Sequence, residues 1–166
     1  MTRAAVPAAL AAFVAVASAP AASAPPAAGV LVPGESLGGI ELGMTHAEVR
    51  AQWGGRFGVC RGCARTTWYF NDRPFDPKGA GVAFRRGRVA HVFTLWQPDG
   101  WRSRDGLELG ASRSALEDEL LAREERDCDG YTALVAPGAG ADTAYYVFRD
   151  ELWGFGLIRT RADPCL

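Results

Sequence analysis

Apolar residues at helical spacing follow two residues that cap helices well, Thr45 and Ser112. Side chains four positions apart lie on one face of a helix, and an apolar pair buries that face against a core. The pattern predicts helices over residues 45–53 and 112–126, and Glu48 completes a capping box in the first. The apolar pairs are Val49 with Trp53 and Leu116 with Leu120.

Runs rich in β-branched and aromatic residues follow each predicted helix. Arg86 and Gly87 predict a tight turn between two of these strands. The predicted strands cover residues 57–60, 64–71, 81–85, 88–96, 131–135, 144–149 and 152–159. In residues 88–96, alternation predicts one face with Val89, His91, Phe93 and Leu95, and the other with Ala90, Val92, Thr94 and Trp96.

The same phrase opens both predicted helices. Residues 39–49 are GIELGMTHAEV and residues 106–116 are GLELGASRSAL, about 67 residues apart, which is long enough for one supersecondary unit per copy. Each copy is predicted as one helix followed by three or four antiparallel strands. Two units side by side predict a two-layer α+β domain with both helices on one sheet face and the opposite face open.

The beginning of the chain predicts export. Arg3 precedes a short apolar run over residues 4–19, and small residues follow it, as in a secretory signal peptide. The run is shorter than the about 20 residues of a membrane span. The predicted organisation is a signal peptide over 1–21, an Ala/Pro-rich leader over 22–35, and repeats over 36–100 and 101–166.

Four cysteines remain in the exported chain, and an even number in an oxidising compartment indicates disulfides. We expect Cys60 to pair with Cys63 across a turn. We expect Cys128 to pair with Cys165, which would pin the C-terminal strand to the second sheet segment. Zinc would need distant ligands from His46, His91, Cys128 and Cys165 to converge, and no metal or cofactor is predicted.

Cys60-Arg61-Gly62-Cys63 has a second interpretation as a thiol–disulfide redox motif. A reactive CxxC motif needs a helix N-terminus after a strand to lower the thiol pKa, whereas the residues on both sides here are strand-like. An inert disulfide at a hairpin end and an extracytoplasmic redox protein therefore both stay open.

Overall charge argues against one class of partner. The formal net charge is −1, although Lys78 is the only lysine among 18 basic residues. A dedicated nucleic-acid binder needs a basic face to displace counterions, and this balance does not favour one. No serine has a nucleophile-elbow context and no carboxylate pair stands out, so an enzyme is not predicted. His46 and His91 are interpreted as ordinary helix and strand residues.

Aromatic residues are numerous for a domain of this size, and the predicted strands are apolar on both faces. Tryptophan, tyrosine and arginine on an open sheet face have the composition of a binding hot spot. Cover by loops such as residues 71–79 is the competing interpretation of the second apolar face. The candidate binding residues are Trp68, Trp96, Trp101, Tyr145, Trp153 and Arg88.

The phrase over residues 40–49 resembles the strand-turn-helix opening of the BamE/SmpA-like families, which are small bacterial envelope proteins. Two tandem copies behind a signal peptide are similar in plan to the β-lactamase inhibitory proteins, whose duplicated unit forms a sheet that grips a partner. The likeness covers about ten residues per copy, and the second copy has Ala111-Ser112 where the family pattern has Met-Thr. The resemblance implies protein binding.

These observations together predict a secreted, monomeric module that binds another protein or a cell-wall component through its open sheet face. The alternative is an extracytoplasmic thiol–disulfide protein that uses Cys60 and Cys63. A purely structural envelope protein is the third possibility.

Overall fold

The chain folds mainly as antiparallel β-sheet. The computed structural model describes residues 29–70, 79–95, 100–120 and 123–166. Within these ranges it has twelve strands and two short helices. In chain order they are β1 Val30–Val32, β2 Ser36–Leu37, β3 Ile40–Glu41, α1 His46–Trp53, β4 Gly58–Val59, β5 Thr66–Phe70, β6 Gly79–Arg85, β7 Arg88–Leu95, β8 Arg102–Ser103, α2 Arg113–Glu119, β9 Glu124–Asp127, β10 Thr132–Ala136, β11 Asp142–Phe148 and β12 Glu151–Ile158.

The strands form one large sheet and one small sheet. The large sheet has eight antiparallel strands in the order β4-β5-β6-β7-β12-β11-β10-β9. The small sheet has the order β3-β2-β1-β8, and its β1–β8 pair is parallel. The pairing of β7 with β12 joins the strands before residue 96 to those after residue 123.

The predicted α+β class of helix-plus-strand repeats is wrong, because the fold is β-rich and its two helices are short. Segments for which the sequence predicted no strand supply the small sheet: β1 lies in the predicted leader, and β2, β3 and β8 lie in the predicted repeats outside their predicted strands. The division into repeats at residues 36–100 and 101–166 stays a prediction.

The second helix is shorter than predicted. It ends at Glu119, where the Leu120 N–H still donates to the Leu116 carbonyl and Arg123 Nη1 donates to the Leu120 carbonyl at 2.9 Å. Residues 124–127 then form β9, an edge strand with all four residues exposed. Backbone pairing with β10 overrides the helical pattern of these residues. Because β9 lies at the edge of the sheet, its charged side chains also resist pairing with other chains.

Both predicted helix caps are present. Thr45 Oγ1 accepts from the Glu48 N–H, and Glu48 Oε2 accepts from the Thr45 N–H at 2.6 Å, which lowers the pKa of Glu48. Ser112 Oγ accepts from the Ala115 N–H at 3.2 Å. The capping box predicted from sequence is therefore confirmed for α1.

The repeated phrase makes the same backbone contacts in both places. The Gly43 N–H donates to the Val89 carbonyl, and the Val89 N–H donates to the Met44 carbonyl, both at 2.8 Å. The Gly110 N–H and the Leu152 carbonyl form the corresponding bond, also at 2.8 Å. Each copy thus docks against the start of the last strand of its own half of the large sheet.

The main core lies on the face of the large sheet that carries both helices, here called the first face. Val49 and Trp53 of α1 and Leu116 of α2 pack in the same cluster as strand residues. The Trp53 indole donates to the Gly38 carbonyl at 2.8 Å, which ties α1 to the small sheet. The small sheet adds Leu31, Leu37 and Ile40 to this cluster.

β-Bulges interrupt the two central hairpins and change which side chains share a face. The register skips Ala90 in β7 and Trp153 in β12. Val89 therefore joins the first-face core, whereas Phe93 packs on the opposite, second face. The prediction that Val89 and Phe93 share a face is wrong, because the extra bulge residue reverses the alternation.

Gly154 in β12 offers a test of the central pairing. A Cβ added there would overlap the backbone carbonyl oxygen of Thr94, which side-chain rotation cannot relieve. We expect Gly154→Ala to lower the free energy of unfolding by about 3 kcal/mol, measured by urea denaturation. Gly62→Ala is the matched control, since Gly62 is exposed with nothing within 4 Å of an added Cβ. Equal effects of the two changes would contradict the close approach of β7 and β12.

Candidate binding site

Three of the predicted binding residues lie in the first-face core. Trp68 is 5% exposed, Trp101 is 1% exposed and Tyr145 is 2% exposed. All three belong to the cluster that contains the buried residues of both helices, and Trp101, just before β8, packs edge-on against Trp53 at 6.1 Å between ring centroids. The interpretation of these three residues as a binding surface is wrong, because they fill the core instead.

The other predicted binding residues have different surroundings. Trp96 lies outside the described residues. Arg88 is exposed, and its Nη1 donates to the Gly43 carbonyl at 3.0 Å. Trp153 is half-buried on the second face. Of the predicted aromatic residues within the described ranges, Trp153 alone therefore lies on the face that the helices leave open.

Aromatic rings form a row across the second face. The row runs from β5 over β7 to β11 and ends beside the hairpin of β11 and β12. Each member touches the next, by ring contacts of 5.2–6.0 Å between centroids or, between β7 and β11, by a hydrogen bond. The members are Tyr69, Phe93, His91, Tyr146, Tyr131, Trp153 and Phe148.

Glycines in the strands make room for these rings. A Cβ added at Gly81 would overlap the Phe93 ring, and one added at Gly156 would overlap the Tyr146 hydroxyl. Glycine within a strand weakens it unless something packs closely over the backbone. Gly81 and Gly156 are therefore the sequence signal by which this row could have been found.

The C-terminal tail covers part of the row. The Tyr146 hydroxyl donates to the Pro164 carbonyl at 3.1 Å, and the Leu166 N–H donates to the Tyr131 hydroxyl at 2.7 Å. The disulfide between Cys165 and Cys128 fastens the same tail to the end of β9. The tail is thus held at three consecutive points, one of them covalent.

The structure has both disulfides that the sequence predicts. Cys60 pairs with Cys63, three residues on, and Cys128 pairs with Cys165, 37 residues on. The described residues include no free cysteine. Disulfides form in oxidising compartments, and the two pairs indicate an extracytoplasmic protein.

A cavity of about 260 Å³ lies between the Cys60–Cys63 loop and the C-terminal tail, and it is here called the His91 pocket. Cys63 and Cys165, one from each disulfide, both line it. The remaining lining is mostly aromatic or small, with one charge of each sign. It includes Tyr69, Ala83, His91, Phe93, Ala64, Arg65 and Asp163.

His91 is the buried polar group of this pocket. Its Nε2 lies 2.8 Å from the Tyr146 hydroxyl oxygen. Because that hydroxyl gives its only proton to Pro164, we assign the shared proton to His91 Nε2. Burial, assisted by the positive charge of Arg65, lowers the pKa of His91 to about 3. Burial also raises the pKa of Tyr146 well above 10, so both groups are neutral near pH 7.

The pocket can therefore supply apolar contact and a fixed polar group, without an ionised acid or base in its floor. His91, predicted only as an ordinary strand residue, is 2% exposed and central to the pocket. Among the described residues, no three His, Cys, Asp or Glu side chains are grouped to hold a metal ion. In the same part of the chain, no helix is long and apolar enough to cross a membrane.

Comparison with known proteins gives little further information. No family model matches the chain, and no curated protein matches it. The chain is similar to the crystal structure of an extracellular protein containing an SCP domain from Bacillus anthracis strain Ames. The TM-score is 0.47 and the identity 11%, over 71% of this chain and 44% of that protein, so the chain spans less than half of it. A likeness at this level carries no argument, and the BamE-like resemblance stays a prediction.

Stability should fall with acid because of His91. The unfolded chain protonates this histidine near pH 6.5, whereas the folded protein keeps it neutral down to about pH 3. The contribution of His91 to the free energy of unfolding is therefore fully present above pH 6.5 and is lost as the pH falls toward 3. Between these limits, wild type should lose about 1.4 kcal/mol per pH unit more than His91→Gln. Urea denaturation at several pH values measures both slopes, and parallel slopes would contradict a buried neutral His91.

The two disulfides should contribute unequally to the free energy of unfolding. In the chain-entropy model, the Cys128–Cys165 loop stabilises by about 4 kcal/mol and the short Cys60–Cys63 loop by about 2 kcal/mol. Two double alanine variants, one for each pair, serve as controls for each other. Their unfolding free energies in denaturant test this order, and a larger loss from the short loop would show that Cys60–Cys63 holds more than its own turn.

Proposed function

We propose that this protein is a secreted binding module that takes one apolar side chain of a partner protein into the His91 pocket. At about 260 Å³ the pocket is smaller than the range of about 300–1,000 Å³ typical of small-molecule sites. It suits a single aromatic or branched aliphatic side chain, which is the kind of anchor that dominates protein interfaces.

The observation that carries the proposal is that a different disulfide holds each wall of the pocket. Cys63 belongs to the loop between β4 and β5, and Cys165 belongs to the tail. Walls held in place before binding lose little conformational freedom when a partner arrives. Pre-organisation of this kind favours recognition.

The lining also indicates what the partner offers. Phe93 and Tyr69 supply aromatic surface, while Arg65 and Asp163 supply one charge of each sign. An apolar anchor flanked by polar or charged groups would match this arrangement. Trp153 and Tyr131, further along the row, would extend the contact toward the β11–β12 hairpin.

The thiol–disulfide alternative rests on exposure of the short disulfide. Cys63 is exposed and Cys60 is half-buried, so an external thiol could reach them. Neither lies in the first turn of α1 or α2, the position that would lower a thiol pKa. A glutathione redox titration of this pair tests the alternative independently of any partner.

A partner can first be found by photo-crosslinking in the protein's native extracellular medium. A benzoyl-phenylalanine at Arg61, beside the pocket, is compared with the same group at Arg50 on α1. Both arginines are exposed, and Arg50 lies on the element that packs on the first face. A partner of the pocket should crosslink from position 61 and not from position 50.

Occlusion of the pocket then tests the proposal. Ala64 is exposed and lines the pocket, so Ala64→Trp should fill it without disturbing the core. We expect this change to weaken binding of the crosslinked partner by about 2 kcal/mol or more, measured by calorimetry. Ala51→Trp, on the exposed side of α1, should leave the affinity unchanged. Unchanged affinity with Ala64→Trp would refute the proposal.

A further inference from the structure

A second cavity of about 610 Å³ lies at one end of the large sheet and is lined by arginines. It is here called the arginine pocket. Arg85 at the end of β6 lines one side, and Arg159 and Arg161, after β12, line another. Gly43 of the first repeated phrase and Gly140 of the loop before β11 complete the wall.

The three cations come together where β12 ends. The last pair of β12 with β7 is Ile158 with His91, after which the chain turns, and the Ala162 N–H donates to the Arg159 carbonyl at 2.8 Å. Arg161 has a φ of 63°, a left-handed conformation that is unfavourable for arginine.

Asp142 supports this strained turn. Its Oδ2 accepts from the Arg161 N–H at 3.0 Å, and its Oδ1 accepts from the Gly138 N–H at 3.5 Å. The carboxylate is buried, and both of its oxygens are used by backbone groups. Asp142 therefore acts as a positioning residue for Arg161.

The three guanidinium groups have no anionic partner in the described part of the chain. Arg104, Arg113 and Arg123 form ion pairs there, whereas the pocket arginines form none. Of the residues that the structure describes, no acidic one lines the pocket. Like charges gathered in one concave site repel one another, and an anion would relieve this repulsion.

We propose that the arginine pocket binds a phosphate group. Guanidinium forms paired, charge-assisted hydrogen bonds with the oxygens of tetrahedral oxyanions, and several arginines around one site favour a doubly charged group. The volume exceeds that of a single phosphate, so the pocket has room for a phosphate ester as well as the free ion. The site is separate from the His91 pocket and shares no lining residue with it.

Titration of the protein with inorganic phosphate, at constant ionic strength held with chloride, tests the site. Binding is followed by NMR of the arginine Nε–H groups and the Thr160 backbone amide. We expect a saturable shift at Thr160, and Arg159→Gln or Arg161→Gln should weaken affinity about tenfold. Arg85→Gln should have the same effect from a different element. Phosphoserine distinguishes an ester from the free ion, because tighter binding than inorganic phosphate favours the ester.

Arg149→Gln is the matched control. Arg149 is exposed and has a φ of 50°, like Arg161, but it lies in the hairpin of β11 and β12, outside the arginine pocket. Its replacement should leave phosphate affinity unchanged. The proposal is overturned if wild type shows no saturable shift, or if Arg149→Gln weakens binding as much as Arg161→Gln.

Discussion

The pairing of β7 with β12 is the contact on which the rest of the molecule depends. Among the described strands, only this pair joins the strands before residue 96 to those after residue 123 within one sheet. The two backbones approach closely because Gly154 has no Cβ to meet Thr94. Thr94 Oγ1 also accepts from the Phe155 N–H at 3.2 Å, so the joint has a side-chain bond in addition to its backbone register. Without this pairing, β7 and β11 would not bring the two rings of the central hydrogen bond together.

In the part of the chain that the structure describes, aromatic rings and the C-terminal tail cover the second sheet face, and neither helix packs there. Aromatic rings lie over glycines, so the cover is about one ring thick, and the C-terminal tail seals its centre. Two hydrogen bonds, from the backbone at Pro164 and Leu166 to two tyrosine hydroxyls, would hold so short a tail weakly. The Cys128–Cys165 disulfide holds the tail in place in addition, because it restricts the conformations open to a detached tail. Because the cover of the second face is this thin, a pocket remains between the tail and the Cys60–Cys63 loop, where a thicker layer would have formed a filled core.

Charge is organised locally although it almost cancels over the whole chain. On one side of the sheet, Arg113 is paired with Glu117 and Glu125, both at 2.8 Å, next to the charged edge strand. At the end of the sheet near Gly43, arginines from β6 and from the segment after β12 face a common cavity, and none of the described residues that line it is acidic. A formal net charge of −1 does not favour a dedicated nucleic-acid binder, yet it carries no information on such a pocket, which depends on which few cations the fold brings together.

The sequence by itself determined the local features whose causes lie within a few residues. These are the capping box at Thr45, the turn at Arg86-Gly87, the positions of most strands and the short disulfide. Apart from the predicted Cys128–Cys165 disulfide, tertiary structure decided what depends on pairing between distant segments. A partner strand placed residues 124–126, predicted as helix, in β9, and bulges at Ala90 and Trp153 moved side chains between faces. It also decided that Trp68 and Tyr145 fill the core while His91 lines a pocket, because alternation shows that a strand has two faces but not what covers each of them.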